Sequence, residues 1–204
     1  MKNTKRIAEN IIEQLTASIA KNGTASLVVS GGSSPLAVFA ELAARDIGWD
    51  KVTITLVDDR LVPADHADSN QALLHRHLLV DHAAAARFMP LTQAVMDVPR
   101  PFDVMLLGMG PDGHFASLFP AMVGDDEAFG PDHTPKIITT PPMGSPQWPR
   151  ISMNMAMILE SNLAILLVNG AEKQAVLAAS KTDSALPIHW LLKQTKRKIE
   201  VEIS

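Results

Sequence analysis

A carboxylate and an imidazole stand two residues apart in Gly108-Met109-Gly110-Pro111-Asp112-Gly113-His114. A histidine with its ordinary pKa of about 6.5 exchanges a proton near neutral pH, which suits it to general acid–base chemistry. The turn follows Phe102-Asp103-Val104-Met105-Leu106-Leu107, an apolar run of strand length that the glycines and the proline bring to a stop. A buried strand opening into a Gly-rich loop is where open α/β sheets hold their ligands. His114 is therefore the proton carrier we select. Asp112 either orients the imidazole or binds a substrate hydroxyl.

Other segments add groups suited to an anion. Ser30-Gly31-Gly32-Ser33-Ser34-Pro35 separates an apolar strand from a helical pattern, with Ser34 a suitable N-cap and Pro35 suited to the first turn. Backbone N–H groups of Gly31, Gly32, Ser33 and Ser34 beside a helix N-terminus form a phosphate site; a ligand-free tight turn is the plainer alternative. Neither the Gly-Lys-Ser/Thr ending of a nucleotide loop nor a Gly-x-Gly-x-x-Gly turn is present, so no nucleotide is indicated. Asp58-Asp59-Arg60 ends another strand and offers two carboxylates, Asp58 and Asp59, with Arg60 to a polar substrate, or else forms a solvated ion-paired turn. Lys173 falls in the first turn of a helix after Asn169-Gly170, where a cation opposes the helix dipole unless an anion is near. Arg150 opens a short strand, Arg150 to Asn154.

Metal sites are not expected. Asp65-His66-Ala67-Asp68-Ser69-Asn70 reads as a polar loop whose Ser69 or Asn70 caps a helix from Gln71 to Val80. His75, His77 and His82 read as surface residues, and Asp125-Asp126-Glu127 as an exposed acidic turn.

The elements that must position these groups follow from periodicity. Ile7, Ile11, Ile12, Leu15 and Ile19 recur at helical spacing, giving an amphipathic surface helix rather than a signal peptide. Ala25 to Val29, Val52 to Val57, Phe102 to Leu107, Lys136 to Thr140 and Asn162 to Val168 read as strands. Lys198 to Ile203 reads as an alternating edge strand. Leu36 to Ala43 and a segment ending at Ala179 read as helices between strands, and Pro187 to Leu192 as an apolar turn or helix. Strand, helix, strand in this order makes parallel β-α-β units. The expected fold is a modified doubly wound α/β domain, mainly parallel, with helices on both faces. Ala121 to Pro135 shows no periodicity, and Pro141 to Pro149 is a Pro-rich connection.

At 204 residues the chain fits one domain, residues 1–204, and no linker or repeat divides it. Hydrophobic residues at 47% and charged residues at 20% are the composition of a packed protein, not a disordered one. With 18 basic against 22 acidic residues and no basic stripe, nucleic acid is not an expected partner. The absence of cysteine excludes disulfides and thiolate chemistry, and suits a reducing compartment such as the cytoplasm. The longest apolar run, Leu163 to Val168, is far short of the roughly 20 residues a membrane span needs.

Taken together, Gly31 to Pro35, Asp58 to Pro63 with Ser69-Asn70, Gly108 to Pro120, Arg150-Ile151-Ser152 and Gly170 to Lys173 resemble the 6-phosphogluconolactonases. These belong to the wider group that includes the glucosamine-6-phosphate deaminases. The segments follow the family's order and cover most of the chain; the Gly108 to Pro120 motif is the most specific. The resemblance implies a cofactor-free carboxylic ester hydrolase that opens 6-phosphogluconolactone in the oxidative pentose phosphate route, with a modified doubly wound α/β fold. It implies that His114 is the general base, and that Gly31 to Ser34 with Arg150 and Lys173 clamp the phosphate. Arg60 then contacts substrate or stabilises the oxyanion. The family usually has Asp-Glu-Arg where this chain has Asp58-Asp59-Arg60, which puts the role of Asp59 in question.

Two rivals are weighed against this. In the deaminase or isomerase branch the segment after the histidine resembles Ala-Phe-Asn-Glu-Pro, whereas here it is Ala116-Ser117-Leu118-Phe119-Pro120, so the required glutamate falls on Phe119. Arg60 also stands where that branch has an aromatic residue. A non-catalytic sugar-phosphate sensor would keep the clamp and lose the acid–base pair, yet Asp112 and His114 are both present. The expected partner is a small phosphorylated lactone, bound by a monomer or small homo-oligomer.

Overall fold

The computed structural model describes residues 2–203. In chain order the elements are α1 (Lys2–Asn22), β1 (Ala25–Val29), α2 (Leu36–Ala43), β2 (Val52–Leu56), β3 (Asp58–Arg60), α3 (Asn70–His77), β4 (Arg87–Phe88) and β5 (Phe102–Gly108). They continue with α4 (Asp126–Phe129), β6 (Ile137–Met143), β7 (Trp148–Met153), α5 (Met155–Leu159), β8 (Ser161–Val168), α6 (Ala171–Ala179), α7 (Pro187–Lys193) and β9 (Ile199–Ile203). Among the described residues no helix is long and apolar enough to cross a membrane.

Six strands form one parallel sheet in the order β4-β2-β1-β5-β8-β9, flanked by helices. From β1 the chain builds outward through β2 to β4; from β5 it builds the other way, through β8 to β9. The order therefore reverses between β1 and β5. Every residue of β1 is buried, as is β5 up to Gly108, the continuous apolar pattern expected of strands covered on both faces. The edge strand β9 is only partly buried, in keeping with its alternating sequence.

A second, three-stranded antiparallel sheet, β3-β7-β6, was not anticipated. Val57 is the hand-over: its N–H donates to Val29 O and its carbonyl accepts from Met153 N, both at 2.9 Å. The expected strand through Val57 thus ends at Leu56, and Asp58–Arg60, read as a turn, is a strand of its own. The Pro-rich stretch is a hairpin rather than a loose connection. Pro141 and Pro142 lie within β6, which tolerates them because it is an edge strand. The aperiodic segment after Ala121 contains α4, a single turn capped by Asp125, whose carboxylate accepts from Glu127 N.

At the amino end of the large sheet, Asp103 fastens three elements. Its buried carboxylate accepts from Ser18 Oγ on α1 at 2.5 Å and from Ser26 N and Oγ on β1 at 2.8 and 3.1 Å. Removing the acceptor strands those buried donors, and each such loss costs about 1–3 kcal/mol. Asp103→Ala is expected to lower the free energy of unfolding by about 2–4 kcal/mol, measured as a lower urea midpoint at unchanged slope.

Candidate functional site

The carboxyl ends of β1 and β5 lie side by side where the strand order reverses, the position at which open α/β sheets bind ligands. Ser30, just past β1, ties the two exits together: its N–H donates to Leu106 O at 2.9 Å and its Oγ accepts from Gly108 N at 3.1 Å. A cavity of about 220 Å³ opens there. Gly31, Gly32, Ser33, Ser34, Asp58, Arg60, His114, Arg150 and Lys173 all line it, and Asp112 stands directly behind His114. Every residue selected from the sequence is therefore brought to one place.

The loop after β5 is folded to present the imidazole. Gly110 N donates to His114 O at 2.8 Å, Gly113 N donates to Gly110 O at 3.1 Å, and Gly113 takes a φ of +79° that favours glycine. Asp112 Oδ1 lies 2.5 Å from His114 Nδ1. Partial burial alone would raise the Asp112 carboxyl, but the hydrogen bond and charge of His114 outweigh it and hold it below the ordinary carboxylate range. A carboxylate facing Nδ1 fixes the proton there, so we assign the lone pair of the neutral ring to Nε2.

The second sheet supplies the charged wall. In the β3–β7 pairing Arg60 is opposite Arg150, and Asp58, two residues along, shares the Arg60 face. Two guanidiniums directly opposite repel unless a carboxylate or a bound anion lies between them. Asp58 is the acid group on which both of their charges act. Burial pushes its carboxyl above the ordinary value, against the pull of the Ser117 hydroxyl, 2.6 Å away, and of the Arg150 and Arg60 charges. Arg150 is 3% exposed and donates from Nε to Met143 O and from Nη2 to Pro146 O, at 3.3 and 3.1 Å. Burial and then Arg60 lower its pKa, yet a guanidinium keeps its charge at any physiological pH. Arg60 Nη1 donates to Asp68 O at 2.5 Å, while its buried Nε has no hydrogen-bond partner among the described residues.

Asp59 points to the other side of β3. Its carboxylate accepts from Arg60 N, Ser69 Oγ, Asn70 N and Gln71 N, holding the N-terminus of α3. The substitution at this position therefore touches a helix anchor and not the cavity. Ser69 is the N-cap, accepting from Ala72 N, as expected. His75, His77 and His82 are exposed, also as expected.

On the Gly31 to Ser34 loop the outcome differs in one respect. Ser34 does not cap α2; Pro35 occupies the N-cap and makes no side-chain cap bond. The Ser34 hydroxyl is instead turned to Lys173, whose Nζ donates to it at 3.2 Å, and Asn169 Nδ2 donates to Ser34 O. Burial lowers the Lys173 pKa, opposed by Glu172. A Cβ at Gly31 would lie 2.0 Å from Asn70 Oδ1, so any side chain there would displace the Asn70 amide; Gly32 has a left-handed φ of +83° with open space around it. Among the lining side chains, Arg60, Arg150 and Lys173 face the single carboxylate of Asp58. That surplus suits an anionic ligand.

Sequence reasoning passed over Ser30, Asn70 as a lining residue, and Ser145 on the β6–β7 turn. Ser30 and Asn70 adjoin the selected motifs, which is the signal that was available. Ser145 carries none, because only the hairpin brings it to the site.

Fold and site together define an α/β protein with a cavity suited to a small anionic ligand at its sheet switch point, beside an imidazole–carboxylate pair fit for proton transfer. The chain belongs to the glucosamine-6-phosphate isomerases/6-phosphogluconolactonase family, whose sequence profile matches residues 2–200. It is 38% identical over 208 residues to the 6-phosphogluconolactonase of Caulobacter vibrioides, covering 95% of this chain and 89% of that one. It is 36% identical over 206 residues to the 6-phosphogluconolactonase of Pseudomonas aeruginosa, covering 92% and 85%. The crystal structure of a 6-phosphogluconolactonase from Shewanella baltica superposes with a TM-score of 0.90 at 34% identity, covering 100% of this chain and 93% of that one.

Proposed function

We propose that this chain hydrolyses 6-phosphogluconolactone to 6-phosphogluconate. The observation that carries the reading is the His114 imidazole, anchored by Asp112 at Nδ1 and lining a cavity with three cations. Family membership and the lactonase relatives support the same substrate.

In the reaction the phosphate sits on the Gly31 to Ser34 amides, Lys173 and Arg150, and the lactone carbonyl lies toward His114 and Arg60. Nε2 takes a proton from water as the water oxygen bonds to the carbonyl carbon, and Asp112 stabilises the imidazolium. Arg60 stabilises the tetrahedral oxyanion. When the carbon–ring-oxygen bond breaks, the imidazolium returns its proton to that oxygen, leaving a hydroxyl and a new carboxylic acid. Asp58 offsets part of the charge of the two guanidiniums. The phosphate grip removes rotational and translational freedom before the chemistry begins. We read the protein as cytoplasmic, acting as a monomer or small homo-oligomer on a small molecule and not on nucleic acid.

The test is turnover of freshly prepared 6-phosphogluconolactone, corrected for spontaneous hydrolysis, beside an ammonia-release assay on glucosamine 6-phosphate. Acceleration of the first alone is expected. Ammonia release would transfer the chain to the deaminase reading, and tight binding with no turnover of either would make it a sensor.

Lys173→Ala is expected to raise KM about 10- to 150-fold with a smaller change in kcat, since a hydrogen bond to a charged group contributes about 1.5–3 kcal/mol. The depressed Lys173 pKa adds a pH signature. A lysine binds phosphate while protonated, so lowering its pKa brings the alkaline rise in KM to a lower pH than the free side chain's value of about 10.4 would give. Lys173→Arg, charged throughout, should flatten that limb of the KM profile.

A further inference from the structure

Phe119 has no part in the binding or proton-transfer roles above, yet it touches a residue of each. Phe119 is 3% exposed. Its ring lies 4.7 Å, centroid to centroid, from the His114 imidazole at an interplanar angle of 39°, and its centroid is 5.2 Å from Arg150 Cζ. Both separations fall in the range where aromatic and cation–π contacts are attractive. The β6–β7 turn closes the remaining side. A Cβ on Gly144 would meet Phe119 Cε1 at 2.8 Å and Arg150 Nη2 at 3.1 Å, so the turn packs on the ring and the guanidinium together.

The hydrogen bonds of these two groups act at their edges. Asp112 fixes the imidazole at Nδ1, and the carbonyls of Met143 and Pro146 fix the guanidinium at Nε and Nη2. An edge contact leaves a planar group free to tilt about it; a ring packed near its face limits that tilt. We propose that Phe119 is a positioning residue that sets the tilt of both the His114 imidazole and the Arg150 guanidinium. One apolar side chain then holds the proton carrier and the phosphate-binding cation in fixed relation. Its kinetic consequences rest on the lactonase reading, while its geometric content does not.

Phe119→Leu, which keeps apolar bulk without the ring, is expected to lower kcat about tenfold and raise KM several-fold, since small misplacements of catalytic groups carry penalties of this order. Double-mutant cycles separate positioning from stability. In a His114→Ala background the effect of Phe119→Leu on kcat should vanish, and in an Arg150→Lys background its effect on KM should shrink. Undiminished effects in those backgrounds, or wild-type kinetics for Phe119→Leu, overturn the proposal. A measurement without substrate guards against an inactive or misfolded variant. In the wild-type protein, NMR should show cross-relaxation between the His114 imidazole protons and the Phe119 ring protons, and the imidazole resonances should move in Phe119→Leu. Absence of that cross-relaxation overturns the proposal even where no lactonase activity is found. Its presence with no lactonase activity leaves the positioning geometry standing and removes the lactonase reading alone.

Discussion

His114→Ala is expected to lower kcat on the phosphorylated lactone by about 10²- to 10⁴-fold, the range a positioned general acid–base group contributes, with KM changed only a few-fold. The asymmetry follows from the layout of the cavity. Lys173 and the Gly31 to Ser34 loop, the proposed phosphate grip, lie on elements that neither contain nor hydrogen-bond to the imidazole. Removing the ring takes away the acceptor for the water proton and the donor for the departing oxygen, and leaves the substrate held. Asp112→Asn gives a graded control. An amide presents either an acceptor or a donor to Nδ1, so the ring loses its fixed tautomer without losing its place, and kcat should fall less than in His114→Ala. Equal activity of wild type and His114→Ala would remove this histidine from the mechanism.

The longer strands of the parallel sheet and the main loop were legible because they rest on local signals. The apolar run of β5 stops at Gly108, and the glycines and proline that follow dictate the turn carrying Asp112 and His114. The Gly31 loop and Lys173 each sit between a strand and a helix, so parallel topology alone carries them toward the carboxyl edge of the sheet. β3 was not legible. Three residues make no periodic pattern, and they form a strand only because Ser152, Ile151 and Arg150 pair with them from about ninety residues away. The same pairing turns Asp59 away from the cavity and leaves Asp58 and Arg60 facing it, a distinction the triplet Asp58-Asp59-Arg60 does not reveal by itself. Ser34 shows a different limit. A serine before a proline at a helix start reads as a cap, but its hydroxyl is engaged by a lysine 139 positions along the chain.

Gly110→Ala carries the second large effect, and it isolates geometry from chemistry because no reacting group is removed. Gly110 does not have a left-handed φ, so alanine meets no backbone penalty there. What it meets is the site itself. The new methyl would stand 2.1 Å from His114 Cε1, 2.2 Å from His114 Nδ1 and 2.8 Å from Asp112 Oδ1. None of these distances is tolerable, so the imidazole and its carboxylate must both move. Phe119, at 4.7 Å, blocks one direction of that movement and leaves the cavity side open, and the Gly110–His114 backbone bond keeps the loop closed. Displacement of a catalytic group by about 1 Å can reduce the rate 10²-fold, and kcat of Gly110→Ala is expected to fall by that order. KM should stay near wild type, since the phosphate grip is untouched. Steady-state kinetics beside a thermal melt would check this: a large fall in kcat with a melting temperature near wild type is the expected pair, because the clash can be relieved by turning a side chain toward the open cavity. Wild-type kcat in this variant would mean that the imidazole works from a different position than the one seen here.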